Sequence, residues 1–224
     1  MKRTKLVDRV LPKYTKGEEI FNMTTHIVGG GFAIIAFASC LIVSLLHKNY
    51  YGLVSGIIYG FSMILLFTMS SVYHGLSPKL FGKKVLQVLD HCTIFFFIAG
   101  SYTTFILCTF REYDPSLALK MFIFIWAAAI IGIVLNSIDL KRYKVFSMIC
   151  YLAMGWCILV KANLLPLLLS KLGLIMLVAG GIAFTIGALL YIIGKKHKYI
   201  HAVFHIFIVL GCILQFITII NDVM

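Results

Sequence analysis

Charge is scarce in this chain. Only 12% of its 224 residues are charged, and acids are fewer still, with eight Asp and Glu against 20 Lys and Arg. A soluble domain carries about 25% charged and about 45–50% apolar residues. Here 61% of the residues are hydrophobic, which excludes an ordinary soluble globule and identifies an integral membrane protein. No nucleic-acid partner is expected from the net charge of +12. The basic residues sit in short clusters between apolar runs, where membrane proteins carry orientation signals. No CxxC occurs, and Cys40, Cys92, Cys108, Cys150, Cys157 and Cys212 stand singly in or beside apolar runs. They read as small packing residues and offer no disulfide framework. Period-2 alternation is missing, so barrel strands are excluded. No cleavable signal peptide is evident, no long repeat stands out, and no polar segment is large enough for a second domain.

What is present is a series of seven apolar runs, at about 24–46, 53–75, 86–109, 117–138, 145–163, 172–193 and 200–220. Each run of about 19–24 residues can cross a ~30 Å hydrocarbon core as a helix. The expectation is an all-α, seven-transmembrane-helix bundle forming one integral membrane domain over residues 1–224, with a polar segment at 1–22. The fifth run ends loosely near Pro166. Residues 17–26 can begin as an interfacial helix with Glu18 and Glu19 in its first turn. Gly29, Gly30 and Gly31, and Gly180, Gly181 and Gly187, suit close helix approach in lipid. Fifteen of the 20 Lys and Arg fall in residues 1–22 and in the clusters at 79–84, 141–144 and 195–198, where Lys2, Lys195 and Lys196 are counted. The other five are Lys48, Arg111, Lys120, Lys161 and Lys171. That split predicts a cytoplasmic N-terminus and, seven being odd, a C-terminus outside.

One stretch carries the chemistry. After Lys195, Lys196 and Lys198 an apolar run begins with His201 and His205 in its first turns. Four residues apart, they share a helix face, which is how a helix offers two nitrogens to one metal ion. A single histidine beside lysines ordinarily sits among headgroups, so other ligand-type residues at the same depth are needed. His74 ends the second run, and Asp90 and His91 open the third. Counted from the nearest lysines, all these groups lie about 4–11 Å inside the basic collars. His26 can join them from the first helix. Ser70 shares a face with His74, and its ordinary role would be packing or back-bonding. A collar lysine would be the ordinary partner of Asp90. His91 points about 100° away from Asp90, and His47 and His197 flank the spans in solvent. The set His74, His201 and His205 is a three-imidazole site with an open fourth position, for which zinc is the default. Zinc lowers the pKa of a bound water to about 7. Asp90 would accept a hydrogen bond from that water or orient an imidazole. Metal, water and base together make a hydrolytic set.

These residues carry a resemblance over nearly the whole chain. Glu19-Ile-Phe-Asn22 with Thr25-His26, Ser70-x3-His74, Asp90-His91 and His201-x3-His205 resemble the bacterial hemolysin III family. That family is related to the progestin and adipoQ receptors, including adiponectin receptors, and the elements recur in a superfamily with alkaline ceramidases. The resemblance implies a seven-helix bundle of the bacterial plasma membrane with zinc near the cytoplasmic face. His74, His201 and His205 would be the ligands, Asp90 would contact the zinc-bound water, and Ser70 would support the site. The short N-terminal region points to the bacterial branch. Three functions follow as expectations. The first is a zinc-dependent hydrolase of a lipid amide or ester, with membrane lipid as substrate or ligand. The second is a non-enzymatic regulator of membrane homeostasis, or a receptor, with structural zinc. The third is a pore-forming cytolysin. An open three-histidine site favours the hydrolase over structural zinc. Seven apolar spans without polar stripes disfavour a secreted pore.

Overall fold

The computed structural model describes residues 3–194 and 197–224. Lys2, Lys195 and Lys196, used in the charge count, lie outside the described residues. Long helices dominate, and no strand occurs among the described residues. They are α1 (Lys16–Leu46), α2 (Tyr50–Gly75), α3 (Phe81–Phe105), a 42-residue helical segment Pro115–Trp156, α6 (Lys171–Ile193) and α7 (Ile200–Thr218). Among the described residues, six helices are long and apolar enough to cross a membrane.

The segment Pro115–Trp156 turns six spans into seven rods. At Asp139 the backbone leaves the helical region for φ −158° and ψ 91°. Ser147 Oγ donates to Asn136 Oδ1 at 2.6 Å across eleven residues, and Asn136 Nδ2 donates to the Tyr151 hydroxyl at 3.2 Å across fifteen. In a straight helix those pairs would be about 16 and about 22 Å apart. The chain therefore folds back at Asp139 into two antiparallel rods, α4 (115–138) and α5 (140–156). Asp139 makes the turn possible because its carboxylate accepts from the N–H groups of Lys141 and Arg142, both at 3.1 Å. Those are orphan donors of a new helix start.

The other starts follow the same chemistry. Thr15 and Glu18 form a capping box on α1, Asn49 caps α2, Asp114 with Pro115 starts α4, and Ser170 caps α6. α7 begins differently. Tyr199 sits in the left-handed region at φ 61°, and its N–H donates to Glu18 Oε1 at 2.9 Å. One carboxylate thus ties the start of α7 to the start of α1.

Three expected bounds shift. α1 begins at Lys16 rather than near residue 24, because the capping box brings the interfacial turn into the same helix. α3 continues through a π turn, Ile106–Phe110, to Tyr113. The fifth rod ends as an α-helix at Trp156, because the Ile158 N–H donates to the Tyr102 hydroxyl at 2.9 Å and a 3-10 turn follows.

Apolar side chains cover the outside of the bundle. Val28, Ile35, Phe61, Ile123, Ile130 and Ile182 are exposed, a surface that only hydrocarbon solvates cheaply. Inside, Tyr59, Phe67, Phe95 and Ile125 are fully buried. The glycine groups split by function. A Cβ on Gly29 would stand 2.6 Å from the Phe67 ring and one on Gly180 would stand 3.3 Å from the Gly211 carbonyl, whereas Gly31 faces open space. The first group therefore serves close packing only in part, whereas in the second a Cβ on Gly181 would also stand 3.0 Å from Trp156 and one on Gly187 3.4 Å from Ile208. All six cysteines are free.

Candidate metal centre

Polar residues of α1, α2, α3 and α7 converge at the end of the bundle where α1 begins and α2 ends. His74 stands in the last turn of α2, and His201 and His205 in the first turns of α7; all three are buried. One nitrogen from each lies within 4.8 Å of the others. The helical spacing turns His201 and His205 onto one face, and their Nε2 atoms are 3.1 Å apart. Two nitrogens bound to one tetrahedral zinc at about 2.0–2.1 Å are about 3.3 Å apart, so this pair already stands near ligand spacing.

His74 is oriented by a neighbour. Its Nδ1 is 2.6 Å from Glu19 Oε2. A carboxylate only accepts, so Nδ1 carries the proton and Nε2 keeps the lone pair. The other oxygen of Glu19 accepts from Lys83 Nζ at 2.6 Å, and Lys83 also donates to the Leu76 carbonyl at 2.8 Å. By sequence Lys83 belongs to a basic collar. It is instead 1% exposed, because Glu19 neutralises it within the protein. Asp90 Oδ2 lies 3.7 Å from His91 Nδ1.

His26 enters from α1, its ring centroid 3.9 Å from that of His205. Both of its ring nitrogens and Nδ1 of His205 are buried without a hydrogen-bond partner. Native interiors rarely leave such groups unmet, and each costs about 1–3 kcal/mol. Three of them together suit a pocket built around a polar guest. The buried imidazoles, the convergent Nε2 atoms and the carboxylate behind His74 fit a divalent cation with nitrogen ligands.

Two members of the cluster, His201 and His205, line a cavity of about 160 Å³. Ser70, Asp90 and His91 line it, with Tyr14, His26, His201 and His205. Apolar side chains, Ile94, Phe97, Leu152, Phe184 and Ile208 among them, make up much of the rest of its wall, together with Gln87, Lys144 and Ser147. Ser70 is 2% exposed. Asp90 lines the cavity, but the cluster of mutually close ligand atoms comprises only the three histidines. His91, which its direction on the helix would set aside, is part of the wall. Its Nδ1 meets the Gln87 carbonyl at 2.9 Å and so must donate, which leaves Nε2 to accept from the Tyr191 hydroxyl at 3.2 Å. His47 and His197 are exposed, as expected.

Two contributors were not assigned to the site from spacing and depth. Glu19 was legible, since Glu19, Asn22 and His26 recur at i, i+3 and i+7 and make a polar stripe on an apolar helix. Tyr14 lies in irregular chain and has no periodic signal.

Comparison with known proteins gives a consistent picture. A model of the family described as haemolysin-III related matches residues 14–216. Hemolysin-3 of Bacillus cereus is 35% identical over 204 residues, covering 89% of both chains. The Hemolysin-3 homolog of Bacillus subtilis (strain 168) is 33% identical, over 91% of this chain and 93% of that one. The human monocyte to macrophage differentiation factor is 29% identical, over 88% of this chain and 80% of its own length.

Proposed function

The chain belongs to the haemolysin-III-related family of integral membrane proteins, and from that premise we propose that it is a zinc-dependent hydrolase of a lipid amide or ester. The observation behind this reading is the convergence of three buried imidazoles, two of which, His201 and His205, line a cavity shared by Asp90 and many apolar side chains. His74, His201 and His205 hold the metal, and Glu19 keeps His74 in the tautomer that offers Nε2. Bound zinc supplies Lewis acidity, lowering the pKa of water toward about 7 and polarising a carbonyl.

The remaining work belongs to side chains. An acyl chain lies against the apolar walls, which brings its carbonyl to the histidine end. Asp90 takes a proton from the attacking water as the new C–O bond forms. The Ser70 hydroxyl donates to the carbonyl oxygen as negative charge develops there. The proton passes from Asp90 to the leaving nitrogen or oxygen as the C–N or C–O bond breaks, and a fatty acid is released. A lytic activity, which the relatives' names carry, finds less support. The outward faces are apolar, and the polar residues of the site turn inward to one cavity.

The same reading sets the protein in the bacterial plasma membrane with a cytoplasmic N-terminus and an outer C-terminus. The support is the fifteen-to-five division of Lys and Arg. Reporter fusions at Met1 and Met224 should report opposite sides; the same side for both sinks the orientation.

The hydrolase is tested with purified, zinc-loaded protein in vesicles containing an N-acyl amide and, separately, an ester of the same acyl chain. Free fatty acid should appear from at least one and should stop when a chelator strips the metal. Release no faster than in protein-free vesicles, with zinc bound, overturns the hydrolase and leaves the non-enzymatic regulator.

A further inference from the structure

A lysine-rich N-terminal segment ahead of a first span has no need to fold, because Thr15 already caps α1. Residues 3–15 are nevertheless fastened at several points. Arg3 Nε donates to the Ile138 carbonyl at 2.9 Å, and the Thr4 N–H donates to Asp139 Oδ2 at 2.7 Å. These bonds pin the segment to the turn between α4 and α5. Lys84 of α3 donates to the Val7 carbonyl at 2.5 Å. Arg9 is 8% exposed, and Pro12 and Tyr14 line the cavity that holds the histidines. The segment therefore runs from the α4–α5 turn past α3 to α1, over the end of the bundle where the imidazoles sit.

Its last aromatic side chain before α1 reaches them. The Tyr14 ring stacks on His201 with centroids 4.9 Å apart and planes 19° apart, and its centroid is 5.8 Å from that of His74. Glu19 fixes the His74 ring, whereas the His201 ring meets Tyr14 face to face and has Phe204 and Tyr191 beside it at 5.2 and 5.7 Å. Burial, with smaller contributions from Tyr191, Glu19 and Asp90, raises the Tyr14 phenol above its ordinary range.

We infer that residues 3–15 are the wall between the histidine site and the adjoining water, and that Tyr14 is a positioning residue that holds the His201 ring and closes the water's path to it. This rests on the metal reading for the role of His201, but the wall itself does not depend on a bound ion. The strap these residues form slows water and polar solutes on their way to the histidines.

Two measurements on the full chain separate the two parts. The first is the rate of zinc loss to EDTA in detergent. Tyr14→Ala should start with wild-type zinc content and lose it about tenfold faster, the scale of one aromatic stack, while Tyr14→Phe stays at the wild-type rate. The second needs no metal. In a Ser70→Cys protein, a charged thiol reagent should label the new cysteine slowly, with the six native cysteines measured as the blank. Adding Tyr14→Ala, or Thr4→Pro, which removes the N–H that Asp139 binds, should speed labelling about tenfold. Unchanged labelling with both additions overturns the wall. Zinc loss as fast in Tyr14→Phe as in Tyr14→Ala overturns the role of the ring. If Tyr14→Ala fails to fold, Thr4→Pro decides the wall. If the wild type holds no zinc, the metal reading fails, and the labelling comparison still decides whether the strap is a wall.

Discussion

His205→Ala is expected to yield a helical, membrane-inserted protein that no longer retains zinc through purification. His205 is 1% exposed, and its Nε2 stands 3.1 Å from that of His201. Removing it leaves two imidazoles, one from α2 and one from α7, too few for a closed or a catalytic zinc site. Metal analysis should give near one zinc per chain for the wild type, and a sharp loss for His74→Ala, His201→Ala and His205→Ala. His47→Ala and His197→Ala, both at exposed positions, should match the wild type. Glu19→Gln should fall between. It keeps all three ligands but weakens the hold on the His74 tautomer, and loss of such an outer partner lowers metal affinity about 10–100-fold. Full zinc content in purified His205→Ala would remove that residue from the set.

The second large effect is expected at Asp90. Asp90→Asn preserves the shape of the side chain and abolishes the base. Zinc content should stay close to wild type, because the three mutually close ligand atoms all belong to histidines. Turnover of the acyl amide or ester should drop by about 10²–10⁴-fold, the usual cost of losing a general base. If the metal were structural, Asp90→Asn would leave the cellular phenotype intact wherever zinc and fold survive. Complementation of a deletion strain at wild-type level by zinc-loaded Asp90→Asn protein would therefore count against catalysis. The Asp90–His91 contact of 3.7 Å makes the local fold a necessary control, which near-wild-type zinc content supplies.

The helical rods were legible because a bilayer demands long apolar runs and the chain supplies them. The histidine cluster was legible because depth can be counted from the lysine clusters and because i, i+4 fixes a face. The failures have a common physical origin. Lys83 reads as solvated in one dimension, since only a carboxylate 64 residues earlier makes its burial tolerable. The helical segment Pro115–Trp156 is interrupted by a single carboxylate that caps its second half. Asp139 ahead of Leu140, Lys141 and Arg142 is a recognisable cap, which places the α4–α5 boundary several residues closer than the apolar runs do. Tyr14 could not have been found. Its position depends on bonds from Arg3 and Thr4 to a turn 135 residues away.

That separation also sets an order of assembly. A chain is synthesised from its N-terminus, so residues 3–15 are made before α1 but cannot be fully fastened until Ile138 and Asp139 follow. His74 waits through more than half the chain for His201 and His205, and the start of α7 is joined to α1 by the bond from Tyr199 to Glu18. The nascent protein therefore passes through a stage with most of its helices made and no complete set of nitrogens. A metal held by the three histidines would be captured only after synthesis has passed α7, and residues 3–15, made before α1, are among the last of the described residues to settle. Any fusion that delays or tethers the N-terminus acts on this closing step, with the helices already in place.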